Sequence, residues 1–125
     1  MVIGIPVTAA GFTFDAPVVS AAGGTILALA FGTLALLTVV VALPSGLPDG
    51  TRVLLGLSSI CAVVGMALAF HYSVGRWLGW STLTIDRMVQ IHGIANGLGF
   101  VTLGLLGWST ARDAMFAQPP PDRFA

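Results

Sequence analysis

Three long, nearly continuous apolar stretches dominate the chain, at about residues 18–43, 53–72 and 87–109. Each stretch is long enough to cross a bilayer, because an α-helix rises about 1.5 Å per residue and the hydrocarbon layer is about 30 Å thick. Pro17 precedes the first stretch and Pro44 follows it, which agrees with helix ends at both places. The pattern predicts an all-α integral membrane protein with three transmembrane helices.

The flanks of this three-helix domain, which we place at residues 18–110, have a different character. Residues 1–17 are apolar but too short to cross as a helix, so we expect them to lie at the membrane interface or to pack on a neighbour. The first basic residue is Arg52, and the first apolar stretch is too long for a signal peptide, so we expect the N-terminus to be retained. Residues 111–125 form a predicted tail, which the prolines at 119–121 favour as an extended segment.

Composition supports membrane residence and excludes several other classes. Hydrophobic residues make up 56% of the 125 residues and charged residues only 8%, against roughly 45–50% and 25% in soluble domains. The charges are five arginines and five aspartates with no basic patch, so we expect no nucleic-acid partner. The single cysteine, Cys61, cannot form an intrachain disulfide or a cysteine cluster for a metal. Catalytic motifs are missing from the sequence, so we expect no enzymatic activity.

The arginines give an expectation for orientation. With three crossings, Arg76 and Arg87 lie on one side of the membrane, and Arg52, Arg112 and Arg123 lie on the other. Positive residues near helix ends are more frequent on the cytoplasmic side, so this count places the C-terminus in the cytoplasm.

The third apolar stretch has two unlike faces when its residues are placed about 100° apart on a helical wheel. One face is aliphatic and suits lipid. The opposite side carries the polar pair His92 and Asn96, together with glycines that let another helix approach closely. We predict helix packing through the glycines of this segment: Gly93, Gly97, Gly99, Gly104 and Gly107.

His92 and Asn96 lie four residues apart, so their side chains share one helix face. His71, near the end of the second helix, lies in the same leaflet if helices two and three are antiparallel neighbours. Three interpretations stay open for this candidate binding set of His92, Asn96 and His71. The residues satisfy hydrogen bonds across a helix interface, they border a proton or substrate pathway, or a histidine ligates the metal of a tetrapyrrole, a haem or chlorin.

The chain resembles the YndJ-like family of bacterial membrane proteins, which are often labelled transporters. The similarity rests on the segment GIPVTAAGF from Gly4 to Phe12, on the two apolar stretches that follow, and on the pattern MVxxHGxxNxxGF from Met88 to Phe100. It extends to the segment GLLGW, which ends at Trp108. The resemblance implies residence in the bacterial cytoplasmic (inner) membrane. It also implies that the chain corresponds to the C-terminal portion of longer family members, which carry further helices upstream, one of them rich in histidine.

Two functions follow as expectations. The first is a non-enzymatic subunit that packs, with lipids and other transmembrane helices, into a larger bacterial membrane complex and borders a cofactor or lipid site. The alternative is a transporter or channel component that acts as an oligomer or together with a separate N-terminal half, as the family label suggests.

Overall fold

The computed structural model describes residues 3–42, 46–80 and 82–116, which form helices joined by short turns. In chain order these are α1 (Gly4–Thr13), α2 (Pro17–Ala42), α3 (Asp49–Leu78), α4 (Ile85–Ile94), a π-helical segment (Ala95–Thr102) and α5 (Leu103–Phe116). The last three are continuous and together make the third long helix. Among the described residues none lies in a β-strand.

Three helices are long and apolar enough to cross a membrane: Pro17–Ala42, Asp49–Leu78 and Ile85–Ala114. This confirms the predicted all-α membrane fold with three spans. The first span begins at Pro17 as predicted, because proline is compatible with the first turn of a helix. Pro44 lies outside the described residues.

The second and third spans extend past their predicted ends. α3 starts directly after Pro48 and stops only at Gly79, whose φ of 74° is a left-handed conformation that favours glycine. Trp77 therefore belongs to α3 and not to a linker. α5 continues to Phe116, so the tail expected from residue 111 is helical at its beginning. Residues 117–125, including the predicted extended proline run, lie outside the described residues.

The N-terminal segment differs from the interfacial position expected of it. α1 lies lengthwise against the first half of α2 and runs antiparallel to it, with Gly4 facing Leu27 and Gly11 facing Ser20. The glycines explain this packing, because the absence of a side chain lets the two backbones come into contact. The turn between the helices closes through the Ala16 N–H, which donates to the carbonyl oxygen of Gly11 at 2.8 Å.

α3 occupies the centre of the bundle, with α2 and all three parts of the third long helix packed against it. The residues buried between the helices are mostly small, as in other membrane proteins, whose helices associate by close packing. They include Ala21, Ala35, Ala62, Ala111, Ser20 and Ser58. Leu55 is the exception, a large side chain that is fully buried.

Charged residues mark the two ends of the bundle. At the end that we call the Arg76 side, the Arg76 guanidinium pairs with the Asp15 carboxylate and lies 5.0 Å from the centre of the Phe12 ring. At the opposite end, the Arg52 side, Arg52 pairs with Asp49. The α1–α2 turn and the α3–α4 connection both lie on the Arg76 side.

Candidate functional site

His92 is the polar centre of the third long helix. Its helix begins after Thr84, whose hydroxyl accepts from the Arg87 backbone N–H at 3.4 Å, and places the imidazole about 10 Å along the helix axis. The His92 Nδ1 lies 2.9 Å from the carbonyl oxygen of Gly65 on α3. A carbonyl oxygen can only accept, so Nδ1 carries the proton and, in the neutral ring, Nε2 is an acceptor.

Asn96 completes this hydrogen-bonded pair. Its amide nitrogen donates to the His92 Nε2 at a distance of 3.0 Å. The amide lies directly against Gly65, where an added Cβ would come within 3.0 Å of both the amide oxygen and the amide nitrogen. Glycine at position 65 therefore makes room for the Asn96 side chain.

One atom of this pair is left without a partner. The Asn96 Oδ1 is buried and accepts no hydrogen bond from any of the described residues. Buried polar atoms in proteins are nearly always paired, and inside a bilayer no bulk water is available to replace the missing donor. The site thus presents a free acceptor beside the imidazole.

His71 does not join this pair. Its ring packs edge-on against Trp80, with the ring centres 5.1 Å apart. Six residues separate His71 from Gly65, which puts the two about 120° apart around α3. The antiparallel packing places both histidines toward the Arg76 side, but only His92 faces the contact between α3 and the third helix.

The π-helical segment explains which predicted glycines pack. An added Cβ would come within 2.5 Å of the Cys61 sulfur at Gly99, within 2.9 Å of the Ser58 hydroxyl at Gly104 and within 2.7 Å of Leu55 at Gly107. These three glycines therefore lie against α3.

Gly93 and Gly97 require a correction, because an added Cβ at either position meets nothing within 4 Å. The wheel assumed a regular α-helix and grouped them with Gly104 and Gly107. The turns of the π-helical segment are wider, and the Thr102 hydroxyl accordingly donates to the carbonyl five residues back, that of Gly97, at 2.9 Å. These turns rotate α5 relative to α4, so Gly104 and Gly107 face α3 while Gly93 and Gly97 do not.

A cavity of about 140 Å³ adjoins His92. Thr8 and Phe12 of α1 lie on one side of it, and His92 and Met88 of α4 lie on another. The rest of its wall comes from α2 and α3: Gly24, Leu27, Met66, Ala69 and Ser73. We call this space the roofed cavity, because α1 covers it. The sequence analysis missed the contribution of α1, since a ten-residue apolar segment carries no sign of the helix on which it packs.

The arrangement does not fit the tetrapyrrole considered from the sequence. Both nitrogens of His92 already take part in hydrogen bonds, so metal ligation would break one of them. The roofed cavity of about 140 Å³ is smaller than pockets for drug-sized ligands, which start at roughly 300 Å³. The ring of His71 lies against Trp80, on a different face of α3.

The described residues contain no group of three or more histidine, cysteine, aspartate or glutamate side chains able to hold a metal ion. The aspartates of the described part lie in turns or near helix ends, with Asp15 and Asp49 in ion pairs. The polar chemistry inside the bundle therefore depends on His92, Asn96 and the hydroxyl side chains.

Comparison with known proteins places this chain among membrane proteins. A family model described as YndJ-like protein matches residues 1–100, a range that includes both His92 and Asn96. The uncharacterized membrane protein YndJ of Bacillus subtilis (strain 168) is 38% identical over 55 residues. That alignment covers 44% of this chain and 10% of the relative, so it spans about a tenth of the relative's length. No solved structure matches the chain.

Proposed function

The chain belongs to the YndJ-like family of membrane proteins, and we propose that it serves as a non-enzymatic helical module of a larger bacterial membrane assembly. Its role there is to supply helix contacts to other transmembrane segments. The single observation that carries this proposal is a polar and glycine-containing surface on the outside of the third long helix.

This surface, which we call the outer face, consists of Gln90, Gly93 and Gly97. All three residues are exposed, and their spacing of three and four residues places them along one side of the helix. Lipid gains little from contact with glycine and does not satisfy an amide. Small residues let a second helix approach closely, and a glutamine side chain can hydrogen-bond to it. The outer face is therefore suited to a protein neighbour.

The relation to longer family members supports the same proposal. We propose that the chain corresponds to the C-terminal portion of such a protein, whose other helices then provide the neighbours. We further propose residence in the bacterial cytoplasmic membrane, with the Arg52 side in the cytoplasm. The described arginines near helix ends support this orientation only by Arg52 and Arg112 on that side against Arg76 and Arg87 on the other, so Arg123 decides the count.

Replacing both Gly93 and Gly97 with leucine tests the outer face. We expect the double variant to fold but to lose its partners, because two bulky side chains separate the helices. The assembly is measured by size-exclusion chromatography in mild detergent, with mass spectrometry of the proteins that elute with the chain. Gly56→Leu is the matched control, since an added Cβ there also meets nothing within 4 Å. If the chain elutes alone as a monomer before any substitution, the subunit proposal is wrong.

A second candidate function, a component of a transport pathway, is favoured by the unpartnered Asn96 Oδ1. A free acceptor beside an imidazole, about 16 Å along a spanning helix, is a position where a donor such as water or a protonated species can bind. The roofed cavity lies next to this pair and supplies space for a small molecule.

Proton movement in reconstituted vesicles tests the transport candidate. We expect vesicles that contain the chain and its co-purified partners to dissipate a pH gradient faster than empty vesicles. Asn96→Ala removes the free acceptor and is expected to abolish the difference, whereas His71→Ala is expected to keep it. Equal rates for the Asn96→Ala and unmodified proteins would exclude a role for this acceptor.

A further inference from the structure

The roofed cavity is one half of a longer groove. On α2, the residues that face α1 are Ser20, Gly23 and Leu27, and continuing at the same helical spacing leads to Leu34 and Thr38. Leu34 and Thr38 line a second hollow, of about 220 Å³, between α2 and the third long helix. α1 thus covers the groove on the Arg76 side and ends about halfway along α2.

The second hollow, which we call the open groove, is bounded by small residues below and large ones at the sides. Its floor includes Ser58 and Gly104. Its walls are formed by Leu34 and Thr38 from α2 and, from the third helix, by Phe100, Val101, Leu105 and Trp108. The large aliphatic walls are exposed, Leu34 by 41% and Leu105 by 68%.

The hydroxyl groups of the open groove are already bonded within the chain. Ser58 donates to the Phe100 carbonyl at 2.8 Å, and Thr38 donates to the Leu34 carbonyl at 2.9 Å. The groove therefore offers an apolar surface that needs no polar partner. It is continuous with a stretch that already holds a helix, and the same two spanning helices form its sides.

We propose that the open groove binds an apolar transmembrane helix of a partner protein, lying in line with α1. This inference rests on the proposed function and names the kind of partner. The chemistry of the partner follows from α1, which packs on α2 through small residues at Gly4, Thr8 and Gly11, a spacing of four and three. The partner helix presents small residues at the same spacing toward the floor of the groove.

Site-specific photocrosslinking in bacterial membranes tests this proposal. A benzophenone amino acid is placed at Leu34 or Leu105, on opposite walls of the open groove, in the full-length chain. The controls carry it at Leu29 or Leu98, which are similarly apolar and are 68% and 67% exposed outside the groove. We expect both groove positions to crosslink to one apolar helix of the same protein, with small residues at i, i+4 and i+7.

A second substitution shows whether the crosslink depends on the shape of the groove. Val101→Trp fills the space, and we expect it to lower the crosslink yield from Leu34 by about tenfold or more, as overpacking of a helix contact predicts. Leu98→Trp, outside the groove, is expected to leave the yield unchanged. Leu105→Trp repeats the test from the opposite wall if Val101→Trp does not accumulate in the membrane.

Three results would overturn the proposal: adducts with lipid alone at both groove positions, crosslinks only to a second copy of this chain, or different proteins captured at Leu34 and Leu105. Its failure is distinguishable from failure of the proposed function. If partners co-elute through the outer face while the groove positions capture only lipid, the module role stands and the groove assignment is wrong.

Discussion

Replacing Gly11 with alanine is expected to release α1 from α2. An added Cβ at this position would lie 2.2 Å from the Ser20 backbone nitrogen and 2.6 Å from the Ser20 Cα. No rotamer change relieves such a contact, since the obstructing atoms belong to the backbone. We expect the free energy of unfolding to fall by about 1–3 kcal/mol, the usual cost of overpacking, or by more if α1 detaches entirely. The measurement is denaturant unfolding in mixed detergent micelles.

The matched control for Gly11→Ala is Gly56→Ala. Position 56 is also helical, but an added Cβ there meets nothing within 4 Å, so alanine is expected to be neutral. Detachment of α1 also opens the roofed cavity, because Thr8 and Phe12 form its cover. A cysteine at Ala69, introduced with Cys61 replaced by alanine, should then react faster with a membrane-permeant thiol reagent. Equal stability of the Gly11→Ala and Gly56→Ala proteins would contradict this role for α1.

Removing the imidazole of His92 is expected to be the second most damaging change. In His92→Ala the Asn96 amide loses its acceptor, so its nitrogen joins the already unpartnered Oδ1. Leaving a buried polar group unpaired costs about 1–3 kcal/mol, although hydrogen bonds between membrane helices average about 0.6 kcal/mol in measured cases. We expect a loss of stability within this range, measured by unfolding in the same micelles.

His71→Ala serves as the comparison for His92→Ala. His71 contacts Trp80 but makes no printed link to the His92 pair, so a smaller loss is expected. The double variant His92→Ala with Asn96→Ala removes both polar groups together. It is expected to be more stable than the sum of the two single losses predicts, because neither substitution then leaves a partner behind. Additive losses would show that the two residues do not act as a pair.

The sequence pattern was a good guide to the three spans, because hydropathy and length alone decide whether a helix is stable across a bilayer. It also identified His92 and Asn96 as neighbours, since their spacing of four lies just before the irregular part of the helix. It was a poor guide beyond Asn96. The wide turns between Ala95 and Thr102 changed the phase of the helix, so Gly93 and Gly97 were wrongly grouped with Gly104 and Gly107.

Other parts of the site depend on contacts between residues far apart in the chain. Gly65 accepts from the His92 ring and makes room for Asn96 although 27 residues separate it from His92. Small-residue spacing on α3 indicated that some helix packs closely there, but this spacing is common in apolar helices and does not select a partner. The covering of the cavity by α1 had no signal in the sequence.

The sequence by itself determined that this protein is an all-α membrane protein, where its spans lie, and which helix carries the polar pair. These properties depend on local composition and on the thickness of the bilayer. Only the tertiary structure decided which glycines touch α3, where α1 lies, that His71 stands apart from His92, and that half of the groove is left open. These properties depend on helix phase and on contacts between distant segments, where one added Cβ or one wide turn changes which surfaces meet.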